Sequence, residues 1–115
     1  MKLLTPMKRV LLARYGMMLA AYTPLARGRV ARDETLMRVA RAHGKSPTQA
    51  ALRWLLDQKN VAAIPKAASA AHATANLDIC DFAPAPEERA ARRSLRGNLR
   101  VLDPGWGPAW DPPDA

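Results

Sequence analysis

Gly16-Met17-Met18-Leu19-Ala20-Ala21-Tyr22-Thr23-Pro24 is the stretch that decides how this chain folds. From Met17 to Tyr22 no charged residue interrupts the run, and Gly on one side and Thr-Pro on the other punctuate it. A continuous apolar run this short predicts a buried strand over residues 17–22, of the kind found in parallel sheets. Met, Leu and Ala also favour helix, so it is the punctuation that decides for strand. Farther along, Val61-Ala62-Ala63-Ile64, bounded by Asn60 and Pro65, predicts a second strand of the same kind.

The segments around these runs read as helices. Residues 8–15 fit the last turns of a helix stopped by Gly16. Thr23 to Arg32 reads as a loop, and Asp33 can cap a helix to about His43. In that helix Leu36, Val39, Ala40 and His43 recur at helical spacing to give one buried stripe, and Gly44 ends it. Ser46-Pro47-Thr48-Gln49 opens the next helix with a capping residue, a proline at the first helical position and the closing Gln of a capping box. That helix should run to about Gln58, and Ala51, Leu52, Trp54, Leu55 and Leu56 make it apolar around much of its girth. Ser69 can cap a short helix through Leu77. Pro86-Glu87-Glu88 opens a last one, with Arg92, Arg93 and Arg96 toward its end, and from Gly97 the chain is a Pro-, Gly- and Trp-rich tail. The order strand, helices, strand, helix is that of an α/β protein with a parallel sheet. Two strands leave both outer edges unpaired, so the pattern asks for more chain.

Charge and composition narrow the function classes. The net charge is +8, and all the excess lies in residues 1 to 45, which hold ten Lys/Arg against two acids, Asp33 and Glu34. Such a segment could be a nucleic-acid-binding arm, a solvated helix surface, or one side of a site for an anionic cofactor. Aromatic residues are not interleaved with the basic ones, so base stacking has little to stand on and no nucleic-acid partner is expected. Pro6, Lys8, Arg9 and Arg14 break up any signal-peptide core, and no run is long enough to span a bilayer. No membrane partner is expected, and a cytoplasmic location is. The single cysteine, Cys80, fits a reducing compartment.

Two motifs carry a family resemblance. Ala21-Tyr22-Thr23-Pro24-Leu25 resembles the A-Y-S-P-L-type motif at the end of the seventh barrel strand of aldo-keto reductases. Ile64-Pro65-Lys66, His72, Asn76 and then Asp81-Phe82 are similar to the family's I-P-K-S-x-x-x-x-R-x-x-x-N pattern and the D-F after it. Ala42-His43-Gly44-Lys45-Ser46-Pro47 and Ala50-Ala51-Leu52-Arg53-Trp54 look like the family's linker and helix between the two motifs. The resemblance covers roughly residues 8 to 111. It implies an α/β fold that is part of a (β/α)8 TIM barrel: its last two strands, their helices and the C-terminal tail. Residues 1–115 would be the C-terminal portion of one barrel domain, with 97–115 as the tail over the barrel mouth.

The resemblance also implies a site for NADPH at the C-terminal ends of the strands, the usual functional face of such barrels. Tyr22 would stack on the nicotinamide, while Thr23, Leu25, Arg27 and Gly28 would hold the pyrophosphate through a hydroxyl, backbone amides and a charge. Lys66 would meet the 2′-phosphate, the helix capped by Ser69 would add its dipole, and His72 and Asn76 would reach the adenosine end. Each has a plainer use: Tyr22 as a core aromatic, Lys66 as a solvated charge, His72 as helix surface, Asn76 as a helix C-terminal residue. Ala67 stands where the family has Ser and His72 where it has Arg. A neutral His cannot grip a phosphate as Arg does, so a weakened preference for NADPH is expected and NADH becomes possible.

The tail from Arg100-Val101-Leu102-Asp103-Pro104 to Pro108-Ala109-Trp110-Asp111 is similar to that of bacterial reductases acting on 2,5-diketogluconate and small dicarbonyls, with one residue fewer between the prolines. Trp106 or Trp110 would then touch a small carbonyl substrate, or else clamp the tail to the barrel. The implied activity is NADP(H)-dependent reduction of aldehydes or ketones by a monomeric parent enzyme. The Asp, Tyr, Lys and His that the family uses for hydride and proton transfer cannot be placed in residues 1–115, since the matching region would precede Met1. The chain alone is therefore expected to be inactive. A non-catalytic dinucleotide-binding or partner-docking module and a small basic nucleic-acid binder are the competing readings. Uncovered strand faces and edges predict aggregation or a molten state for the lone chain.

Overall fold

Helix caps and short apolar runs become the framework almost as spelled. A computed structural model of the chain describes residues 6–22 and 24–91. Its elements are α1 (Pro6–Arg14), β1 (Leu19–Tyr22), a 3-10 helix (Ala26–Arg32), α2 (Glu34–Ala42), α3 (Pro47–Leu56), β2 (Val61–Ile64), α4 (Ala70–Leu77) and α5 (Pro86–Ala91). β1 and β2 pair in parallel, with Leu19 opposite Val61 and Tyr22 opposite Ile64. Parallel neighbours need a crossover, and the 3-10 helix, α2 and α3 supply it. The architecture is α/β, as the sequence predicts. Thr23 and the tail with Trp106 and Trp110 lie outside the described residues.

The caps hold as read. Asp33 accepts the Leu36 N–H at 2.9 Å, and the Ser46–Gln49 box closes both ways, at 3.2 and 2.9 Å. Gly16, with φ +59, ends α1 by sending the Met17 N–H back to the Leu12 carbonyl at 2.9 Å. α3 is the centre of the core. It buries Gln49, Ala50, Ala51, Leu52, Trp54 and Leu55, so it is covered on more than one side. Ala50, Ala51 and Trp54 pack with Val30, Leu36, Val39 and Ala40 of the 3-10 helix and α2. Leu55, fully buried, packs with Ala21 and Val61 and so joins both strands to α3.

Five details depart from the sequence reading. β1 starts at Leu19, because Met17 is tied into the α1 cap, and Met18 stands 70 % exposed. Among the described residues the strands are covered on one face only: Ala21 and Val61 are buried, while Tyr22 and Ile64 are exposed. The expected loop over 23–32 contains the 3-10 helix, which places Val30 in the core; runs this short leave no periodicity to read. His43 does not close the α2 stripe but caps the helix, half-buried, and turns its ring to Glu88. α3 ends at Leu56, two residues early, and α5 is described to Ala91, so Arg92, Arg93 and Arg96 lie outside the described residues. Among the described residues no helix is long and apolar enough to cross a membrane, and no cluster of His, Cys, Asp or Glu could hold a metal ion.

Candidate functional site

Register brings the two motif segments together. Tyr22 and Ile64, the last residues of β1 and β2, are partners in the ladder, so the segments that follow leave the sheet from the same end. The C-terminal end of parallel strands is where such folds gather ligands, because the loops there converge on one mouth.

After β1 the chain is pinned from below and open above. Pro24 is buried, and Leu25 is half-buried against the core formed by α2, α3 and the 3-10 helix. Gly28 is exposed with φ +84 and donates its N–H to the Leu25 carbonyl at 2.9 Å. That amide closes the turn onto Leu25. Tyr22 presents an exposed ring, 65 % accessible, at the sheet's end. Thr23 and the side chain of Arg27 lie outside the described residues.

After β2, Lys66 is exposed, and Ser69 caps α4 by accepting the His72 N–H at 3.2 Å. The first amides of a helix have no intrahelical acceptor, so those of Ala70 and Ala71 point out of this end with the positive end of the helix dipole. His72 is exposed on the first turn, and Asn76, one turn on along the same face, is half-buried. Lys66, Ser69, His72 and Asn76 are thus gathered on α4 and its approach, and Tyr22 stands on the neighbouring strand.

A second group of polar residues holds α4 and α5 in place, and the sequence reading missed most of it. Lys45 lies 2.7 Å from Asp81 and 3.0 Å from Asp78 and also reaches the Asp78 carbonyl. Its bonds to the two carboxylates raise the Lys45 pKa, and the Lys45 bond in turn lowers that of Asp81. Burial pushes the Glu88 carboxyl up, but the bonds from His43 and the Ala85 N–H, with the charges of His43 and Arg38, outweigh it and leave the pKa lowered. Gln49 donates to the carbonyls of Ala75 and Asp78, both at 3.0 Å. Partners 26 and 29 residues away leave no mark at local spacing; the one sequence signal was a Gln spelled at a buried position of α3.

A family model described as the Aldo/keto reductase family matches residues 5–94. The chain belongs to the aldo/keto reductase family. It is 36 % identical over 93 residues to "Aldose reductase B" of Dictyostelium discoideum, a match covering 79 % of this chain and 30 % of that protein. It is equally 36 % identical over 91 residues to an "Aldo-keto reductase" of Mycobacterium marinum, covering 79 % and 32 %. This aldo/keto reductase chain thus spans about a third of the length of the curated relatives it matches. Among solved structures, a candidate 2,5-diketo-D-gluconic acid reductase B superposes with a TM-score of 0.83 at 40 % identity, covering 95 % of this chain and 40 % of that one. A variant of Gox0644 in complex with NADPH superposes with a TM-score of 0.70 at 26 % identity, covering 76 % and 32 %. The α/β architecture is therefore that of part of an aldo/keto reductase barrel.

Proposed function

We propose that this chain forms the cofactor-binding end of an NADP(H)-dependent aldo/keto reductase that reduces aldehydes or ketones to alcohols. The observation that carries the reading is the Tyr22–Ile64 register, which puts both motif segments at one end of the sheet. The donor set there suits a dinucleotide. An exposed aromatic ring offers a flat apolar face, and an ammonium and a helix N-terminus offer charge and amides to phosphate. When bound, NADPH supplies the hydride.

In this reading Tyr22 supports the nicotinamide ring by stacking, and Thr23, Leu25, Arg27 and Gly28 border the pyrophosphate. Lys66 faces the 2′-phosphate with Ser69 beside it, and His72 and Asn76 lie toward the adenosine. Trp106 and Trp110 face the substrate, a small carbonyl of the dicarbonyl or 2,5-diketogluconate class. No proton donor for the carbonyl is among the residues assigned here, so the catalytic Asp, Tyr, Lys and His come from polypeptide outside residues 1–115. Residues 1–115 alone bind without turnover. Ala67 and His72 leave Lys66 as the main grip on the 2′-phosphate, so NADH is accepted as well.

Calorimetry with NADP+ and NAD+ tests this on the chain and on Lys66→Ala. The wild-type chain should favour NADP+ modestly, and Lys66→Ala should remove the difference while leaving NAD+ binding unchanged. Equal binding of both nucleotides, untouched by Lys66→Ala, would sink the assignment.

A further inference from the structure

Helix α4 carries two of the proposed nucleotide contacts, His72 and Asn76, and is capped by a third, Ser69, yet it buries none of its own residues. Among the described residues it is held by polar ties, from Lys45 to Asp78 and from Gln49 to Ala75 and Asp78. At its start it hangs from β2 through residues 65–69. At its end the carbonyls of the last turn lack helical partners. Asp78 N–H serves Thr74 and Ile79 N–H serves Leu77. Ala75 is served by the Gln49 side chain.

Gln49 is 8 % exposed, and every polar atom of its amide is engaged. Oε1 accepts the Ser46 N–H at 2.9 Å, which fixes the amide plane against the start of α3. Nε2 then donates to the Ala75 and Asp78 carbonyls, both at 3.0 Å. One side chain thus couples the most buried helix among the described residues to one that buries none of its own. We infer that Gln49 is a positioning residue for the nucleotide, holding α4 from its far end so that Lys66, Ser69 and His72 face the end of β1; this rests on the cofactor reading above. An eight-residue helix is about 12 Å long, so a pivot of about 10° at the Gln49 end displaces the first turn by about 2 Å. A shift of that size is enough to misplace a charge from a phosphate.

Gln49→Glu separates this role from simple helix stability. The carboxylate keeps the acceptor for Ser46 N–H, loses both donors, and faces the Asp78 carboxylate. Protonated, it regains one donor; burial and the Asp78 carboxylate raise the pH at which that happens, against the Lys45 ammonium 3.0 Å from Asp78 and the Ser46 N–H, which lower it. NADP+ affinity, read by calorimetry, should fall about tenfold in Gln49→Glu and in Gln49→Ala near neutral pH. As pH is lowered to about 5, only Gln49→Glu should recover relative to Gln49→Ala at the same pH, a comparison that cancels titration of the nucleotide itself. Ser46→Ala, which removes the cap hydroxyl but leaves the ties to α4, should melt lower and bind NADP+ as the wild type does. Amide exchange over residues 73–78 should quicken in the Gln49 variants alone. If the wild type binds NADP+ and the Gln49 variants bind it equally well, the positioning role is wrong. If the wild type binds no NADP+, the cofactor reading falls first and takes this inference with it.

Discussion

His43 Nε2 stands 2.8 Å from Glu88 Oε2, and that same oxygen accepts the Ala85 N–H at 2.7 Å. One carboxylate caps α5 and ties it to the end of α2, with the Phe82 ring 5.1 Å from the imidazole. Because the Glu88 pKa is lowered in the fold, its contribution is complete above the ordinary glutamate range and is lost as pH falls through the lower folded value. The protection of the α5 amides, taken relative to their intrinsic exchange rates and followed from about pH 6 to about pH 3, should therefore fall on acidification. In Glu88→Gln we expect low protection throughout and no pH step. An unchanged step in that variant would assign the transition to another group.

Leu55 joins both strands to α3 and has no exposed surface, whereas its neighbour Leu56 is 40 % exposed. Leu55→Ala should cost about 2–5 kcal/mol, since it opens a cavity between the sheet and the helix. Leu56→Ala should cost less than about 1 kcal/mol. Urea titration of the pair checks the ranking.

Met18, Tyr22 and Ile64 are each more than 60 % exposed, and the two-stranded sheet has no further strand on either outer edge among the described residues. Contiguous apolar surface beside open edges drives association. We expect the chain to self-associate in sedimentation and to brighten a hydrophobic dye, and Met18→Lys with Ile64→Thr to reduce both. A monodisperse monomer that leaves the dye dark would contradict this.

Gly28 adopts φ +84, and a Cβ built there meets nothing within 4 Å. Any penalty for Gly28→Ala is thus backbone strain alone, about 1 kcal/mol. The turn would then be free to relax, so NADP+ binding should weaken only a few-fold. A loss as large as that from Lys66→Ala would mean that the turn itself grips the nucleotide.

The helix framework was legible because caps and stops are local. Asp33, Ser46, Gln49 and Ser69 each sit three residues from the group they bind, and Gly16 and Gly44 supply the positive φ their helix ends require. The strands were legible from their flanks, and the family from two motifs at the right separation. The edges of these readings failed where a competing local bond won, as when the α1 cap took Met17 away from β1.

By itself, then, the sequence determined the order of elements, their caps, the apolar runs that pair, and the family motifs, all of which depend on residues within a few positions of one another. Only the tertiary structure decided that one face of the sheet is covered, that His43 answers Glu88, that Lys45 answers Asp78 and Asp81, and that Gln49 holds the far end of α4. Those contacts join residues 26 to 45 positions apart, and their geometry exists only after α3 has packed and brought distant backbone carbonyls within hydrogen-bond reach.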